Sequence, residues 1–233
     1  MRLVTASTLV VAAALLMPAV PSGQQEATRV VAGGGIMVPG WQGMVDLTDK
    51  DKGEKIENSK LEKRGDALHL SSGPASTYWN PSNTATGAYT VKGTFNEPKQ
   101  INDHPHPYGV FIAGKNLGTD QQEYLYCTAY ANGTAIVRGF HGRQSLRFSE
   151  SRRDAVANPA INKPGADGSV TQNVAFKVTA DRVQCEVNGA VVIDLAKSDV
   201  VAPDKLSSTD GIYGFRSGHN TDVVVTGFAM QKN

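Results

Sequence analysis

The sequence predicts an all-β protein, an antiparallel β-sandwich of the jelly-roll type with long surface loops. Apolar and polar residues alternate in short segments along much of the 233-residue chain, a pattern that buries one face of a strand and exposes the other. Between two of these segments, Asn188 and Gly189 supply the positive backbone angles of a two-residue hairpin turn. The sequence contains no apolar pattern with helical spacing of any length. These three observations favour two stacked antiparallel sheets.

The C-terminal part of the chain contains five predicted strands. They cover residues 173–180, 183–187, 191–195, 211–216 and 222–230. Short turns connect the first three, and a loop leads into the last two. We expect all five to form one continuous antiparallel sheet.

The preceding part of the chain contains a similar set of strands. Alternation predicts five of them, over residues 67–70, 87–95, 108–113, 123–130 and 134–140. Residues 76–81 are typical of a strand end or a loop. Residues 49–66 carry acidic and basic side chains in near alternation, which indicates a solvated surface. Residues 148–172 are poor in apolar side chains and predict a long surface loop, a place where binding specificity often lies.

The N-terminal residues have the features of a cleavable export signal. A single positive charge, Arg2, precedes the apolar run Leu9–Leu16, which is too short to span a membrane. We predict three parts: a signal peptide over 1–23, a flexible linker over 24–40 and a single β-jelly-roll domain over 41–233. Export would place the mature protein in the periplasm or outside the cell.

The composition excludes several classes of partner. The chain has 23 basic and 22 acidic residues and a formal net charge of +1, which gives no electrostatic basis for nucleic-acid binding. No second apolar stretch approaches the roughly 20 residues of a membrane helix, so we expect no membrane insertion. Glycine-rich phosphate or dinucleotide loops are absent, and we expect no cofactor. The oligomeric state stays open.

Two cysteines, Cys127 and Cys185, each lie in phase with the buried residues of a predicted strand. In an exported protein such a pair can form a disulfide bond. Two free thiols buried in the core would give the same sequence pattern. Both alternatives remain open from the sequence.

Several short segments carry a resemblance to a known superfamily. They are the run 108–117, the Tyr-rich strand 123–127, the hairpin turn 132–134, the pair of segments 181–183 and 187–189, and the closing segment 210–216. These segments resemble the concanavalin-A-like lectin/glucanase superfamily, and more narrowly the exported bacterial domains near the keto-disaccharide hydrolases and the laminin-G-like modules. The resemblance covers about residues 66–230. It implies two curved sheets whose concave face holds glycans.

The same resemblance leaves catalysis unassigned. The glucanase branch of the superfamily places two glutamates on one strand in a Glu-x-Asp-x-x-Glu pattern, which brings an acid and a nucleophile to the same face. This chain contains no such strand. We therefore identify no catalytic carboxylate pair.

A candidate ligand-binding face follows from the predicted hairpin between residues 123 and 141. If Asn132-Gly133 forms a two-residue turn, Tyr130 lies opposite Ala135 and Tyr124 lies opposite His141. Tyrosine rings offer flat apolar surfaces to a sugar, and polar side chains donate hydrogen bonds to its hydroxyls. The predicted contacts on this face are Tyr124, Tyr126, Tyr130, His141 and Arg143. Arg138 falls on the opposite, aliphatic face in this register and does not fit it.

Two polar loops are predicted at the rim of this face. His104 and His106 lie two residues apart in an extended segment and could ligate a metal together with Asp103. Prolines follow both histidines and no further partner is identifiable, so we expect no metal site. We interpret the loop residues as ligand contacts: His104, His106, Tyr108, His219 and Asn220.

The favoured function is that of an exported domain that recognises glycans on an open sheet face. One alternative is a glycoside hydrolase or lyase of the keto-disaccharide-hydrolase type, with His141 or His104 as acid or base. A second alternative is a structural or assembly module that binds protein partners. The sequence names neither the glycan nor a reaction.

Overall fold

The computed structural model describes residues 26–101, 104–148 and 155–233. The predicted signal peptide, residues 1–23, lies outside the described residues. A search of the described part of the chain for a helix with the length and apolar character to cross a membrane finds none.

Sixteen strands and two short helices account for the regular structure of the described residues. The strands are β1 (Gly35–Ile36), β2 (Gln42–Val45), β3 (Lys60–Arg64), β4 (Ala67–Ser71), β5 (Ser76–Ala85), β6 (Tyr89–Glu97), β7 (Tyr108–Lys115), β8 (Glu123–Tyr130), β9 (Thr134–His141), β10 (Gln144–Arg147), β11 (Val156–Ala157), β12 (Val170–Val178), β13 (Arg182–Val187), β14 (Ala190–Ala196), β15 (Gly211–Ser217) and β16 (Asp222–Lys232). The helices are α1 (Leu47–Lys50) and α2 (Lys197–Val200), and Ile56–Asn58 form one turn of 3₁₀ helix.

The strands form two sheets that pack face to face. Sheet A has the order β1-β3-β4-β16-β6-β12-β13-β14. Sheet B has the order β10-β9-β8-β7-β15-β5-β2, and β11 pairs with β9 at its margin. All pairs are antiparallel except β1 with β3. The predicted β-sandwich is therefore confirmed.

Most predicted strands are confirmed, but their distribution between the sheets differs from the prediction. The segment 211–216 forms β15 of sheet B, so the five C-terminal strands are not one continuous sheet. Residues 76–85 form one long strand rather than a strand end. Within the predicted loop 148–172, β11 pairs with β9 and β12 begins at Val170. Because Ile161 is also buried in the core, the described part of this loop belongs to the fold.

The segment predicted as a linker also takes part in the fold. β1 pairs with β3, and the backbone N–H of Arg29 donates a 2.8 Å hydrogen bond to Asn220 Oδ1. The Arg29 guanidinium donates to the carbonyl oxygens of Ser72 and Thr221, at 2.9 and 2.6 Å. Residues 26–40 are therefore held against sheet A rather than free.

The two predicted hairpin turns have different outcomes. Asn188 and Gly189 have φ angles of 52° and 85°, and Val187 pairs with Ala190, which confirms the two-residue turn. In the β8–β9 hairpin only Gly133 has a positive φ, of 88°, and Tyr130 pairs with Thr134. The connection is therefore a three-residue loop.

This longer loop shifts the β8–β9 register by one residue. Tyr126 lies opposite Arg138, Tyr124 lies opposite Phe140, and Glu123 lies opposite His141. A shift of one residue moves each β9 side chain to the other face of the sheet relative to β8. Arg138 thereby joins the tyrosine face, which removes the misfit that the predicted register contained.

The core lies between the two sheets and is rich in aromatic rings. Phe95 of sheet A stacks on Tyr108 of sheet B, with 5.9 Å between ring centroids, and meets Phe215 edge-on at 6.1 Å. Tyr108 is fully buried, so the prediction that it contacts a ligand at the rim is wrong. Its ring instead fills the space between the sheets, because the first residue of β7 faces inward.

A disulfide bond joins the two sheets across this core. Cys127 of β8 and Cys185 of β13 are bonded, with 5.5 Å between their Cα atoms. Both side chains are fully buried. The structure thus decides between the two alternatives that the sequence left open.

Removal of this bond should destabilise the sandwich strongly. The double variant Cys127→Ala, Cys185→Ala is expected to lose about 2–5 kcal/mol of unfolding free energy, because the unfolded chain regains the freedom of a long loop. Urea titrations of both proteins measure the difference. Reduction of the wild-type protein in its unfolded state should cause the same loss of unfolding free energy. Equal stability of the wild-type protein and the double variant would mean that the disulfide bond does not form.

Candidate functional site

The outer side of sheet B, away from the core, carries a second apolar cluster that we call the aromatic face. Alternation in β8 sends Leu125, Cys127 and Ala129 into the core and the tyrosines outward. The buried members of the aromatic face are Met44, Trp79, Phe111, Tyr124, Tyr126 and Ile136, and its half-buried members are Leu117, Tyr130, Phe140 and Ile212.

A buried ion pair lies within the aromatic face. Arg216 on β15 donates through both terminal nitrogens to the carboxylate of Asp46, with 2.7 Å between Arg216 Nη2 and Asp46 Oδ2. The same guanidinium donates to Thr77 Oγ1 at 3.1 Å and to the Tyr124 hydroxyl at 3.4 Å. The Arg216 side chain is only 7% exposed. Such a pair fixes the connection between β2 and α1 to the centre of the sheet.

Aromatic rings surround this guanidinium. The Arg216 Cζ atom lies 4.9 Å from the centroid of the Tyr126 ring and 5.9 Å from that of Phe140. Burial alone would lower the pKa of Arg216, but the neighbouring Asp46 carboxylate outweighs it and raises that pKa well above its ordinary value. Burial raises the pKa of the Tyr124 and Tyr126 hydroxyls. The arginine therefore stays charged and the tyrosines stay neutral.

A pocket of about 550 Å³ opens where the aromatic face meets the edge strand β2. Its apolar lining includes Met44, Trp79 and Leu117. Its polar and charged lining is contributed by Gln42, Lys50, Glu54, Lys55 and Glu57. The pocket thus combines a flat aromatic side chain with hydrogen-bonding groups of both charges.

No sequence pattern predicted this pocket. Along β5, Thr77 and Trp79 alternate with Tyr78, which lies in the core between the sheets, so a strand over residues 76–81 would predict that the Trp79 ring faces outward. Gln42 gave no sequence signal, because it lay near the boundary of the predicted linker. The residues come together only through the pairing of β2 with β5, where Gln42 lies opposite Trp79.

The structure places the predicted tyrosines on the aromatic face but gives them unequal access. Tyr124 is fully buried and therefore cannot contact a ligand directly. Tyr126 is 7% exposed, and Tyr130 is half-buried at the end of β8. The predicted outward phase of β8 is correct, and the role of these residues in binding stays a prediction.

The predicted position of His141 on this face is wrong, and the role of Arg143 in binding stays a prediction. His141 lies opposite Glu123 in the observed register and faces away from the tyrosines, with 3.8 Å between its Nδ1 and Glu123 Oε1. Arg143 lies in the β9–β10 turn and is ion-paired to Asp120 and Asp51, at 2.7 and 2.6 Å. The guanidinium of Arg143 is therefore paired with two carboxylates of the protein itself.

The remaining predicted residues form a separate cluster. The Nε2 atoms of His104, His106 and His219 lie 2.9, 2.8 and 3.5 Å from Glu26 Oε2. Asn220 donates from Nδ2 to the other carboxylate oxygen of Glu26 at 3.0 Å. Asp103, which the sequence analysis considered beside the histidines, lies outside the described residues.

Opposing effects act on the pKa values in this cluster. Burial would raise the pKa of Glu26, but hydrogen bonds from His106 and Asn220 lower it below its ordinary value. Burial lowers the pKa of His106, and the neighbouring His219 lowers it further. The cluster therefore favours an ionised carboxylate beside a neutral imidazole at neutral pH. Sequence reasoning missed Glu26 because it placed that residue in a linker.

A buried carboxyl group elsewhere in the protein, that of Glu97, has a strongly raised pKa. Burial raises this pKa to about 7, and the nearby Tyr108 hydroxyl opposes the rise. The carboxyl group and this hydroxyl do not reach hydrogen-bonding geometry. A general acid needs such a pKa. Glu97, however, is 1% exposed and shares the inward face of β6 with Phe95. It has no access to a substrate, and catalytic residues stay unassigned.

Comparisons with known proteins identify the fold. No family model matches the chain, and no curated protein sequence matches it. The carbohydrate-binding module CBM66 from Bacillus subtilis superimposes with a TM-score of 0.56 at 10% identity, over 85% of this chain and 99% of that one. The chain has the concanavalin-A-like jelly-roll fold.

Two further solved structures share this concanavalin-A-like fold. A Bacillus subtilis protein of unknown function with a galectin-like fold gives a TM-score of 0.54 at 18% identity, over 82% of this chain and 89% of that one. A Parabacteroides distasonis protein proposed to be a glycosyl hydrolase gives 0.50 at 10% identity, over 83% and 88%. At these identities the similarity concerns the fold.

The Arg216–Asp46 pair should be essential for the stability of this fold. Asp46→Asn leaves a buried guanidinium without its counter-charge and is expected to cost about 3–5 kcal/mol of unfolding free energy. The matched control is Asp51→Asn, which removes an exposed partner of Arg143 and should cost no more than about 1 kcal/mol. Chemical denaturation measures both variants, and equal small losses would contradict the assigned role of the pair.

The buried Glu97 carboxyl should make stability fall with rising pH. Its folded pKa of about 7 exceeds the ordinary value of 4.5, so the folded state binds the proton more tightly than the unfolded state. Its contribution is complete below about pH 4.5 and is lost as pH rises through 7, a change of up to about 3 kcal/mol. Glu97→Gln should abolish that change relative to the wild-type protein.

Unfolding free energies at pH 5 and pH 8 give this difference directly. The control Glu186→Gln alters a half-exposed carboxyl on the outward side of β13 and should keep the wild-type pH dependence. A wild-type pH dependence in Glu97→Gln would show that this carboxyl does not titrate as the structure implies.

Proposed function

We propose that the protein binds carbohydrate on the aromatic face of sheet B, with the pocket beside β2 as the main contact. The observation that carries this proposal is the composition of that pocket. Trp79 and Met44, which are 6% and 8% exposed, form its apolar wall, and Gln42, Lys50 and Glu57 contribute polar groups around it. A sugar ring has the matching character, because its C–H groups form an apolar face and its hydroxyls form a polar edge.

The charges of the pocket favour a neutral ligand. Lys50 and Lys55 contribute positive charge, while Glu54 and Glu57 contribute negative charge in equal number. A polyanionic glycan would meet two carboxylates, and a cationic ligand would meet two ammonium groups. A neutral saccharide can accept and donate hydrogen bonds with all four side chains.

The aromatic face extends the site beyond the pocket. Tyr126, which is 7% exposed, and the half-buried Tyr130 lie along β8, and the ring of Tyr130 would support a further sugar unit of an oligosaccharide. The ion pair of Arg216 with Asp46 and the buried Tyr124 hold these rings in place, so that little side-chain freedom is lost on binding. The fold supports the same proposal, because one protein that shares it, CBM66, is a carbohydrate-binding module. We further propose that the protein is exported, since its N-terminal sequence has the features of a signal peptide.

A glycan array probed with the purified protein tests this proposal, and substitutions in the pocket then locate the site. Gln42→Ala should weaken binding about 2- to 10-fold, because it removes a hydrogen-bonding side chain worth about 0.5–1.5 kcal/mol. Trp79→Leu should weaken it more, since the flat ring is lost. Isothermal titration calorimetry measures both dissociation constants.

The matched control is Gln144→Ala, which removes an exposed glutamine from β10 at the other edge of the same sheet. This control variant should leave the affinity for the glycan unchanged. The melting temperatures of all three variants are measured as well, and any variant of lower stability is compared with the wild-type protein at equal folded fraction. A glycan that binds the three variants equally well would place the site elsewhere. The absence of binding to any glycan on the array would reject carbohydrate recognition.

A further inference from the structure

Three imidazole nitrogens converge on one carboxylate oxygen at the end of the sandwich where β7 begins and β15 ends. One ring nitrogen from each of His104, His106 and His219 and a carboxylate oxygen of Glu26 all lie within 4.8 Å of one another. Their separations from Glu26 Oε2 are 2.9, 2.8 and 3.5 Å. The four residues come from three separate segments of the chain.

We propose that Glu26, His104, His106 and His219 bind one divalent transition-metal ion, with Zn²⁺ as the best match. Zinc takes four ligands in a tetrahedron, with bonds to nitrogen and oxygen of about 2.0–2.2 Å. Neighbouring ligand atoms of such a tetrahedron are about 3.3–3.5 Å apart, a spacing that follows from those bond lengths. The observed distances to Glu26 Oε2 run from 2.8 to 3.5 Å, and all four ligand atoms lie within 4.8 Å of one another, so side-chain movements that draw the nitrogens together would complete the site.

The donor atoms also select the kind of metal. Imidazole nitrogens suit zinc, copper and nickel, whereas calcium and magnesium prefer shells made of oxygen ligands. Four protein ligands fill a tetrahedral shell and leave no position for a reacting water, which is the arrangement of structural zinc sites. The inference therefore concerns a structural ion that joins chain segments, and it is independent of the proposed sugar site.

Hydrogen bonds to Glu26 Oε2 account for at most two of the three histidine contacts, those of His104 and His106 at 2.9 and 2.8 Å. A carboxylate oxygen offers about two acceptor sites, because an ionised carboxyl group has about four in all. Glu26 Oε2, however, is approached by three imidazole nitrogens. At least one nitrogen would then lack a partner on this oxygen, whereas one cation can bind all three nitrogens and the oxygen together.

The surroundings hold the ligands in place. Asn220 donates to Glu26 Oε1 at 3.0 Å and thereby turns the other oxygen, Oε2, towards the histidines. The same amide accepts a hydrogen bond from the backbone of Arg29 at 2.8 Å. Partners of this kind, which orient metal ligands without touching the ion, typically change metal affinity by about 10–100-fold when they are removed.

Close backbone packing brings the two histidine loops together. The N–H of Gly218 donates to the carbonyl oxygen of Pro107 at 2.6 Å. A Cβ atom at Gly218 would lie 2.7 Å from Pro107 Cδ and 3.2 Å from His106 Cβ, so only glycine permits this approach. The packing sets His106 against His219, with ring centroids 3.8 Å apart.

The proposed ion would join the N-terminal segment to the sandwich. Glu26 precedes β1, while the histidines belong to the β6–β7 loop and the β15–β16 turn. With the ion bound, the start of the described chain is cross-linked to both loops through metal bonds in addition to the hydrogen bonds of Arg29 and Asn220. We expect metal binding to stabilise this end of the protein.

Direct metal titration tests the proposal. The protein is purified without a histidine tag, treated with a chelator, and titrated with Zn²⁺ in competition with a chromophoric chelator, and bound metal is counted by mass spectrometry. We expect one Zn²⁺ per chain. His104→Ala should weaken binding at least about tenfold without unfolding the protein, because this side chain is 60% exposed.

His219→Ala should weaken Zn²⁺ binding to a similar extent, and at the same Zn²⁺ concentration the rise in melting temperature should be smaller for both variants than for the wild-type protein. The control is His141→Ala, a histidine of comparable exposure outside the cluster, which should keep wild-type affinity and the same rise in melting temperature. Equal weakening by His141→Ala, or wild-type protein without stoichiometric Zn²⁺, would overturn the proposal. Glycan binding by the chelated protein separates this outcome from a failure of the proposed sugar site.

Discussion

The two-residue period of β8 is the constraint on which the structure depends. Its even-numbered side chains face outward and its odd-numbered ones face inward, so one strand serves two environments at once. On the inner side Cys127 reaches across the core to Cys185 and joins the sheets. On the outer side Tyr124 and Tyr126 pack around Arg216. A slip of one residue would exchange these sides, bury the charged neighbours and break the disulfide geometry.

The outer side of sheet B remains ordered because its polar groups are paired. A guanidinium among aromatic rings would be costly without a counter-charge, and Asp46 supplies that charge from the segment that follows β2. The same pair fixes β2 and α1 beside Trp79, which creates the pocket. Stability and the proposed recognition surface therefore rest on the same contacts. The two loops that contain His106 and His219 are held instead by contacts with Glu26 and Asn220.

The sequence was sufficient for the fold class and most strands, because alternation and turn residues are local signals. It predicted the Asn188-Gly189 turn correctly, yet it placed β8 and β9 one residue out of register, since Asn132 does not adopt the positive φ that a two-residue turn requires. The parts of the candidate sites that it missed depend on long-range pairing. Gln42 meets Trp79 through β2 and β5, and Glu26 meets the histidines through a segment that resembled a linker.

The most direct test of carbohydrate recognition on the aromatic face uses the two tryptophans of the chain. Trp79 lines the pocket, whereas Trp41 stacks on the core residue Phe215 with 5.1 Å between ring centroids. The two indole N–H resonances can be followed by NMR during titration with a glycan that binds on the array. Glycan binding at the pocket should shift the Trp79 resonance to saturation and leave that of Trp41 in place. Saturated binding that leaves the Trp79 resonance unmoved would contradict it.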